Sequence, residues 1–330
     1  MNGLLIVAPN WLGDAVMALP AIADVRRAHP SASITVAARP SVRPLFALVP
    51  GVDAHVGRAV PGFAAALLLP NSFRSALDVW RARIAERWGY RTDCRGPLLT
   101  RAIAPPPRGL HQVEYYQHLV RELGVPNGPG EPRLEVSDSM RAEGADALTR
   151  AGWDRHSPVV AFAPGAAYGG AKRWPPQYFA ELATALTRDG AAVTLVGSAA
   201  DAATGREIEA RLASSNGRAR VLNLVGTTDL LTLAGVLAQS RALVTNDSGA
   251  MHLAAALGVR VTAVFGPTNE RETGPRGEVR LEGLDATVGH AVLVNDVACR
   301  PCLLRECPID HRCMRGVGVA AVLAEARRTL

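Results

Sequence analysis

The chain has 330 residues, too many for one ordinary hydrophobic core and enough for two domains of about 150 residues each. A composition that is 48% apolar and only 5% aromatic is typical of a globular protein and excludes disordered and fibrous classes. The formal charge of +6 comes from 35 arginines and one lysine, Lys172, so we take the charge alone as a weak guide to function.

The first apolar segment, residues 4–8, is too short for a signal-peptide core and lacks a basic flank. Nowhere does an apolar run approach the roughly 20 residues that span a bilayer. We therefore expect a cytoplasmic protein whose membrane contact, if any, is peripheral.

The amino-terminal half opens with the pattern of a parallel α/β sheet. Residues 3–8 predict a buried strand, 9–13 a tight loop, 14–29 a helix and 33–38 the next strand. This order is typical of a doubly wound fold.

The same rhythm restarts after a Pro- and Gly-rich stretch at 125–133. Strands are predicted at 158–163, 191–196, 220–224, 241–246 and 260–265. Helices are predicted at 138–152, 176–189, 201–214, 229–240 and 249–257. We place the two domains at 1–155 and 156–316, and we expect a final helix at 317–330 to pack back on the first domain.

Two common nucleotide-binding motifs are missing from both halves. Neither Gly-x-Gly-x-x-Gly nor Gly-x-x-x-x-Gly-Lys-Ser/Thr occurs, which argues against a dehydrogenase and an ATPase. Two Rossmann-like domains without these motifs favour glycosyltransferases and other enzymes that handle nucleotide sugars.

The segment TNDSGAMH, residues 245–252, joins a predicted strand to a predicted helix. Ser248 and Gly249 fall where the first backbone N–H groups of the helix point outward, an arrangement suited to a diphosphate. Asp247 and His252 would flank this anion site. The alternative is an ordinary N-capped helix whose histidine is satisfied in the core.

The segment APGAAYGGAKRWPP, residues 163–176, follows the first strand of the second domain. Its small residues let backbone approach a ligand, and Lys172 supplies a charge that would stabilise a leaving diphosphate. The alternative is a surface loop with a solvated lysine. Because this loop and residues 245–252 both leave the carboxyl ends of strands, they can converge on one crevice.

The segment PNWLGD, residues 9–14, forms the first strand-to-helix turn of the other domain. A carboxylate at a helix N-terminus stays ionised, so Asp14 can accept a proton from an attacking hydroxyl. The alternative is that Asp14 only caps its helix.

An arginine-rich region could receive a phosphorylated or carboxylated acceptor, or contact an anionic membrane. A solvated helix face is the alternative, and nucleic acid is not expected because interleaved aromatic residues are missing. The basic residues, set against Asp78, Glu86 and Asp93, are Arg74, Arg81, Arg83, Arg87, Arg91, Arg95 and Arg101.

A cysteine cluster near the carboxyl terminus combines Cys299, Cys302, Cys307 and Cys313, with His311 nearby. In a reducing compartment such a cluster suggests structural zinc rather than disulfides. The spacing is irregular for a zinc ribbon, so free thiols are the alternative.

Taken in order, these motifs resemble the bacterial heptosyltransferases of glycosyltransferase family 9, which build the lipopolysaccharide inner core. The resemblance covers nearly the whole chain, and its first loop, the PNSFRSAL segment and the AKRWP sequence are most similar to the second enzyme of the family. The motifs that carry it are PNWLGD with ALPAI, LLLPNSFRSAL, GYRTDCRGPLLT, HQVEYYQHLVRELG, PGAAYGGAKRWPP, VTNDSGAMHLAAALG and the CRPC to CPIDHRCM tail.

The resemblance implies a GT-B-type fold in which two Rossmann-like domains face an interdomain cleft. It implies an ADP-heptose donor in the second domain and a lipid A–Kdo–heptose acceptor in the first, at the cytoplasmic face of the inner membrane. Asp14 would be the catalytic base and Lys172 would contact the donor phosphate. The implied donor residues are Tyr168, Lys172, Asp201, Thr228, Asp247, Ser248, Gly249 and His252, and the acceptor residues are Trp11, Gly13, Arg74, Arg91 and Arg95.

The implied reaction inverts the anomeric centre of the donor in one displacement. No acidic metal-binding motif is evident, so we predict no obligatory catalytic ion, with Mg²⁺ on the donor diphosphate as the alternative. Three other functions stay open at this point: a transferase that acts on heptose-free Kdo-lipid A, a nucleotide-sugar epimerase and a non-catalytic scaffold.

Overall fold

The computed structural model describes residues 3–214, 221–280 and 287–330. The chain forms two compact units, Met1–Glu135 and Val136–Leu330, and each contains its own parallel sheet. The predicted α/β class is therefore confirmed.

The first unit alternates strands and helices along the chain. Its strands are β1 (Leu4–Val7), β2 (Ile34–Ala37), β3 (Ala54–Val56), β4 (Ala65–Leu68), β5 (Glu86–Tyr90) and β6 (Arg101–Ile103). Its helices are α1 (Leu12–Met17), α2 (Leu19–Ala28), α3 (Phe73–Arg81) and α4 (Gln112–Glu122). The helix predicted at 14–29 is divided into α1 and α2, because Pro20 fits a first helical turn but not a helix interior.

The strands of this unit pair in parallel in the order β3-β2-β1-β4-β5-β6. Leu4, Leu5 and Ile6 of β1 are almost fully buried, as a strand covered by helices on both faces requires. The strand order reverses between β1 and β4, and ligands of open α/β sheets bind outside the carboxyl ends of strands at such a reversal.

The second unit repeats this architecture. Its strands are β7 (Val159–Ala163), β8 (Ala192–Leu195), β9 (Val221–Asn223), β10 (Ser240–Asn246), β11 (Arg260–Phe265), β12 (Glu278–Arg280), β13 (Thr287–Gly289) and β14 (Ala291–Val294). Its helices are α5 (Asp138–Arg150), α6 (Pro176–Arg188), α7 (Ala202–Ser214), α8 (Leu230–Ala238), α9 (Gly249–Ala256), α10 (Glu270–Thr273), α11 (Arg312–Arg315) and α12 (Val319–Arg327). Of the strand predicted at 220–224, residue 220 lies outside the described residues.

The main sheet of this unit has the order β14-β11-β10-β7-β8-β9, and β12 pairs with β13 in an antiparallel ribbon. The order reverses between β7 and β10. These two strands carry the segments 163–176 and 245–252 at their carboxyl ends, so both predicted ligand loops leave the sheet at the reversal.

The boundary between the units follows Glu135 and not residue 155 as predicted. The helix α5 packs so closely on α8 that a Cβ atom on Gly144 would lie 2.1 Å from the carbonyl carbon of Gly235. This backbone contact makes α5 part of the second unit.

The predicted packing of residues 317–330 on the first domain is also corrected. Val322 and Ala326 of α12 are fully buried in the core of the second unit. Two ion pairs connect α12 to the rest of the second unit: Arg260 with Glu325 at 2.6 Å, and Arg327 with Asp189 at 2.8 Å. The apolar face of α12 therefore completes the core of the second unit.

Candidate functional site

The loops after β7 and β10 meet at the strand reversal of the second unit, as predicted. Lys172 Nζ donates a hydrogen bond to Asp247 Oδ2 at 2.6 Å, and both side chains are largely buried, at 14% and 7% exposed. Thr268, in the turn after β11, donates its hydroxyl to the same oxygen at 2.7 Å. Three loops thus share one carboxylate, which fixes the lysine in place.

We call residues 163–176 the glycine-rich loop. Asn246, the last residue of β10, binds this loop at both ends. Its fully buried amide accepts the backbone N–H of Trp174 at 2.9 Å and donates to the carbonyl of Pro164 at 2.8 Å. The sequence motif does not indicate this role, although Asn246 stands beside Asp247 at a strand end. A buried amide that binds two backbone groups stabilises one conformation of the loop.

The amino-terminal end of α9 comes directly after Asp247. Ser248 is the N-cap, its hydroxyl accepts the N–H of Met251 at 3.4 Å, and Gly249 begins the helix. Backbone N–H groups in a first turn have no acceptor within the helix and suit an anion. His252 lies one turn further on and is buried. The site therefore combines helix amides with the ammonium of Lys172.

A segment of the cysteine-rich tail crosses the glycine-rich loop, and we call residues 300–306 the strap. The hydroxyl of Tyr168 donates to the carbonyl of Leu303 at 2.7 Å. The N–H of Gly170 donates to Glu306 Oε1 at 2.9 Å, and that of Ala171 to the carbonyl of Arg305, also at 2.9 Å. Neither the cysteine spacing of this tail nor its likeness to the family motif indicates these contacts.

Asp201 and Thr228 follow the next two strands of the same sheet. Asp201 Oδ2 accepts two hydrogen bonds from Ser198, one from its backbone N–H at 3.0 Å and one from its hydroxyl at 2.7 Å. This carboxylate is therefore part of a capping box. A Cβ atom on Gly165 would lie 2.2 Å from Asp201 Cγ, which puts Asp201 against the glycine-rich loop. Thr228 is half-buried in the turn before α8.

In the first unit, Asp14 is the third residue of α1 and is half-buried, and Gly13 precedes it. Trp11 is the N-cap residue of this helix, and its side chain is 56% exposed. Asp14 is therefore not the cap residue of its helix. Burial raises the pKa of Tyr116 well above its usual range, and the nearby Asp14 carboxylate raises it further. The carboxylate thus lies close to α4 at the strand reversal of this unit.

The arginines predicted to bind an acceptor differ in environment. Arg74 is exposed and paired with Asp78 at 2.9 Å, and Arg91 is exposed just after β5. Arg95, by contrast, is fully buried, and its guanidinium donates to Ser75 Oγ and to the carbonyl of Tyr90. Burial lowers the pKa of Arg95 to about 10, which leaves it charged at neutral pH. The side chain of Arg95 folds inward and binds loop groups, and its contact with an acceptor stays a prediction.

The four cysteines of the tail are free thiols: Cys299 and Cys302 are exposed, Cys307 is half-buried and Cys313 is buried. Burial raises the pKa of the Cys313 thiol. Within the ranges that the structure describes, no group of three or more His, Cys, Asp or Glu side chains is placed to hold a metal ion. Structural zinc on these cysteines therefore stays a prediction from the sequence.

Comparison with known proteins shows which family the chain resembles. The model of glycosyltransferase family 9 (heptosyltransferase) matches residues 60–311. Lipopolysaccharide heptosyltransferase 2 of Salmonella typhimurium is 35% identical over 305 residues, which cover 82% of this chain and 85% of the relative. Lipooligosaccharide heptosyltransferase 2 of Haemophilus ducreyi is 32% identical over 298 residues, with the same two coverages of 82% and 85%.

A solved structure, that of E. coli ADP-heptose lps heptosyltransferase II, superimposes with a TM-score of 0.81 at 29% identity, over 99% of this chain and 98% of that one. Two doubly wound parallel-sheet units of this kind form a GT-B-type fold. The matched region includes both ligand loops of the second unit. The chain therefore belongs to glycosyltransferase family 9, the heptosyltransferases, and is a glycosyltransferase.

Proposed function

We propose that this enzyme transfers L-glycero-D-manno-heptose from ADP-heptose to the heptosyl-Kdo2-lipid A inner core of lipopolysaccharide. The observation that carries the proposal is the convergence of Lys172, Asp247 and Thr268 beside the first turn of α9. A fixed ammonium next to helix amides suits the diphosphate of a nucleotide sugar. The names of the relatives supply ADP-heptose as the donor and lipopolysaccharide as the destination of the sugar.

In the proposed reaction, Asp14 accepts the proton of the acceptor hydroxyl as that oxygen attacks the anomeric carbon of the heptose. The bond from this carbon to the ADP oxygen breaks in the same displacement, so the configuration inverts. Negative charge then grows on the diphosphate, where Lys172 and the N–H groups of Ser248 and Gly249 stabilise it. The protein thereby supplies a base for the acceptor and cations and dipoles for the leaving group.

The acceptor is anchored in lipid, so we propose that the enzyme works at the cytoplasmic face of the inner membrane. Among the described residues, no helix is long and apolar enough to cross a bilayer. The helix α3 exposes Phe73 and Trp80, two turns apart, beside the exposed Arg74 and Arg81. Aromatic and basic side chains on one helix face suit an anionic membrane surface, and binding to phosphatidylglycerol vesicles but not to phosphatidylcholine vesicles tests this contact.

Mass spectrometry of the lipid product tests the proposal. With ADP-heptose and an acceptor that carries one heptose, we expect a product with a second heptose. A product formed only from the heptose-free acceptor would assign the enzyme to the first transfer step, and an altered free sugar with no acceptor product would indicate an epimerase. We expect EDTA to leave product formation unchanged, because Lys172 and helix amides serve the leaving group.

A further inference from the structure

One residue of the strap, Arg305, lies against the glycine-rich loop. The guanidinium carbon of Arg305 lies 5.4 Å from the ring centroid of Tyr168, and Lys172 Nζ lies 4.9 Å from the same centroid. One aromatic ring therefore contacts two cations. Such cation–π contacts hold a charged group in place without neutralising it.

The two cations differ in their available charge. Lys172 is paired with Asp247 at 2.6 Å, so the positive charge of the lysine is balanced within the protein. Arg305 is exposed and forms no ion pair with another residue in the described ranges. A diphosphate carries more negative charge than a balanced Lys–Asp pair can compensate, and Arg305 is a further positive charge beside the same ring.

The strap is fastened on both sides of Arg305. On one side the N–H of Leu303 donates to the carbonyl of Pro267 at 2.9 Å, with Leu303 held at a φ of 57°, a left-handed conformation that a leucine rarely adopts. On the other side Glu306 accepts the N–H of Gly170. These contacts restrict where the arginine can reach.

Glycines make room for this contact. A Cβ atom on Gly169 would lie 2.3 Å from the carbonyl oxygen of Arg305, and one on Gly170 would lie 2.6 Å from a carboxylate oxygen of Glu306. The backbone of the glycine-rich loop thus packs against the backbone of Arg305 and against the side chain of Glu306. This packing fixes the backbone of Arg305 beside the loop, so only its side chain is free to move.

We propose that Arg305 is a second cation of the donor site, which binds the diphosphate of the nucleotide sugar together with Lys172. This inference rests on the proposed function, since it requires a nucleoside diphosphate in the second unit. The planar guanidinium can donate two parallel hydrogen bonds to one phosphate group, which an ammonium cannot.

Calorimetric titration of the full chain with ADP tests the inference. Arg305→Gln is expected to raise the Kd for ADP about tenfold, the effect of losing one charge-assisted contact. Arg305→Lys should fall between this variant and the unsubstituted protein, because it keeps the charge but loses the planar fork. Adenosine, which has no phosphate, should bind the Arg305→Gln variant as it binds the unsubstituted protein.

Arg312→Gln is the matched control, because Arg312 lies in the same tail but is exposed and paired with Asp310 at 3.0 Å. An unchanged Kd for ADP in Arg305→Gln, or an equal loss in Arg312→Gln, would overturn the role of Arg305 while leaving the proposed function intact. If the unsubstituted protein bound no ADP, the proposed donor would fail and this inference with it.

Discussion

At the scale of single residues, Asp247 is the carboxylate that joins the loops of the proposed donor site. One of its oxygens accepts hydrogen bonds from Lys172 and from Thr268, so it joins the loops after β7 and β11 to the end of β10. A lysine held in this way needs little reorganisation when a diphosphate arrives. Asp14, the proposed base, belongs to the first unit, whereas Lys172 and Asp247 belong to the second.

We predict that Asp14→Asn lowers the rate of heptose transfer by roughly 100- to 10,000-fold, the usual contribution of a general base. The amide has the shape of the carboxylate but cannot take up a proton at neutral pH. ADP affinity should stay unchanged, since the donor loops lie in the second unit. The rate constant and the Kd for ADP check this, and equal loss of both would favour a structural role for Asp14.

Lys172→Ala should weaken ADP binding by about tenfold or more, because one charge-assisted contact to phosphate is lost and the Asp247 carboxylate is left without its cation. Thermal unfolding provides the control for misfolding. A folded variant with the ADP affinity of the unsubstituted protein would remove Lys172 from the phosphate site.

Residues next to each other in a motif could be found from sequence, whereas contacts between distant segments could not. The sequence points to Asp247 and Lys172 because each lies in a loop motif that follows a strand and each has a charged side chain with a chemical role. Thr268 and Arg305 reach the site from segments far along the chain, and no local pattern indicates where such segments meet. An arginine-rich sequence likewise does not indicate which guanidinium folds inward, as that of Arg95 does.

At the scale of helices and strands, hydrophobic periodicity and the loops between elements predicted the second sheet closely. The strand predicted at 260–265 is β11, and the helix predicted at 176–189 ends one residue earlier, at Arg188. The partners of α5 and α12 were not predictable in this way. A periodic apolar face requires a partner, but it does not specify which domain provides that partner.

The contact of α5 with α8 gives a test at this scale. Gly144→Ala would bring a Cβ atom to 2.1 Å from the backbone of Gly235, so the helices must separate. We expect a loss of about 1–3 kcal/mol in the free energy of unfolding, measured with urea. Gly318→Ala is the control, because a Cβ atom there meets no other atom within contact distance. Equal stability of the two variants would contradict the observed packing of α5.

At the scale of the whole molecule, His290 should make the second unit sensitive to acid. Burial lowers the pKa of His290 to about 4 from its usual 6.5, and its Nδ1 accepts the N–H of Val261 at 3.2 Å, which requires the neutral ring. A lowered pKa of a histidine means that its stabilising contribution is complete above pH 6.5 and is lost as the pH falls from 6.5 toward 4.

We therefore expect the free energy of unfolding to fall by up to about 3 kcal/mol between pH 6.5 and pH 4 through this residue. His290→Asn keeps an acceptor near Val261 but cannot titrate, so its stability should change less over this range. Urea unfolding at a series of pH values measures both curves. Parallel curves for the two proteins would show that other groups cause the acid sensitivity.

The measurement that tests the central claim most directly is ADP release from ADP-heptose by the purified protein, with three acceptor conditions. These are Kdo2-lipid A with one heptose, Kdo2-lipid A without heptose, and no acceptor. We predict rapid ADP release only with the heptose-bearing acceptor, and loss of that release in Asp14→Asn. Release that is the same in all three conditions, or none in any, would contradict the account of this enzyme as an acceptor-dependent heptosyltransferase.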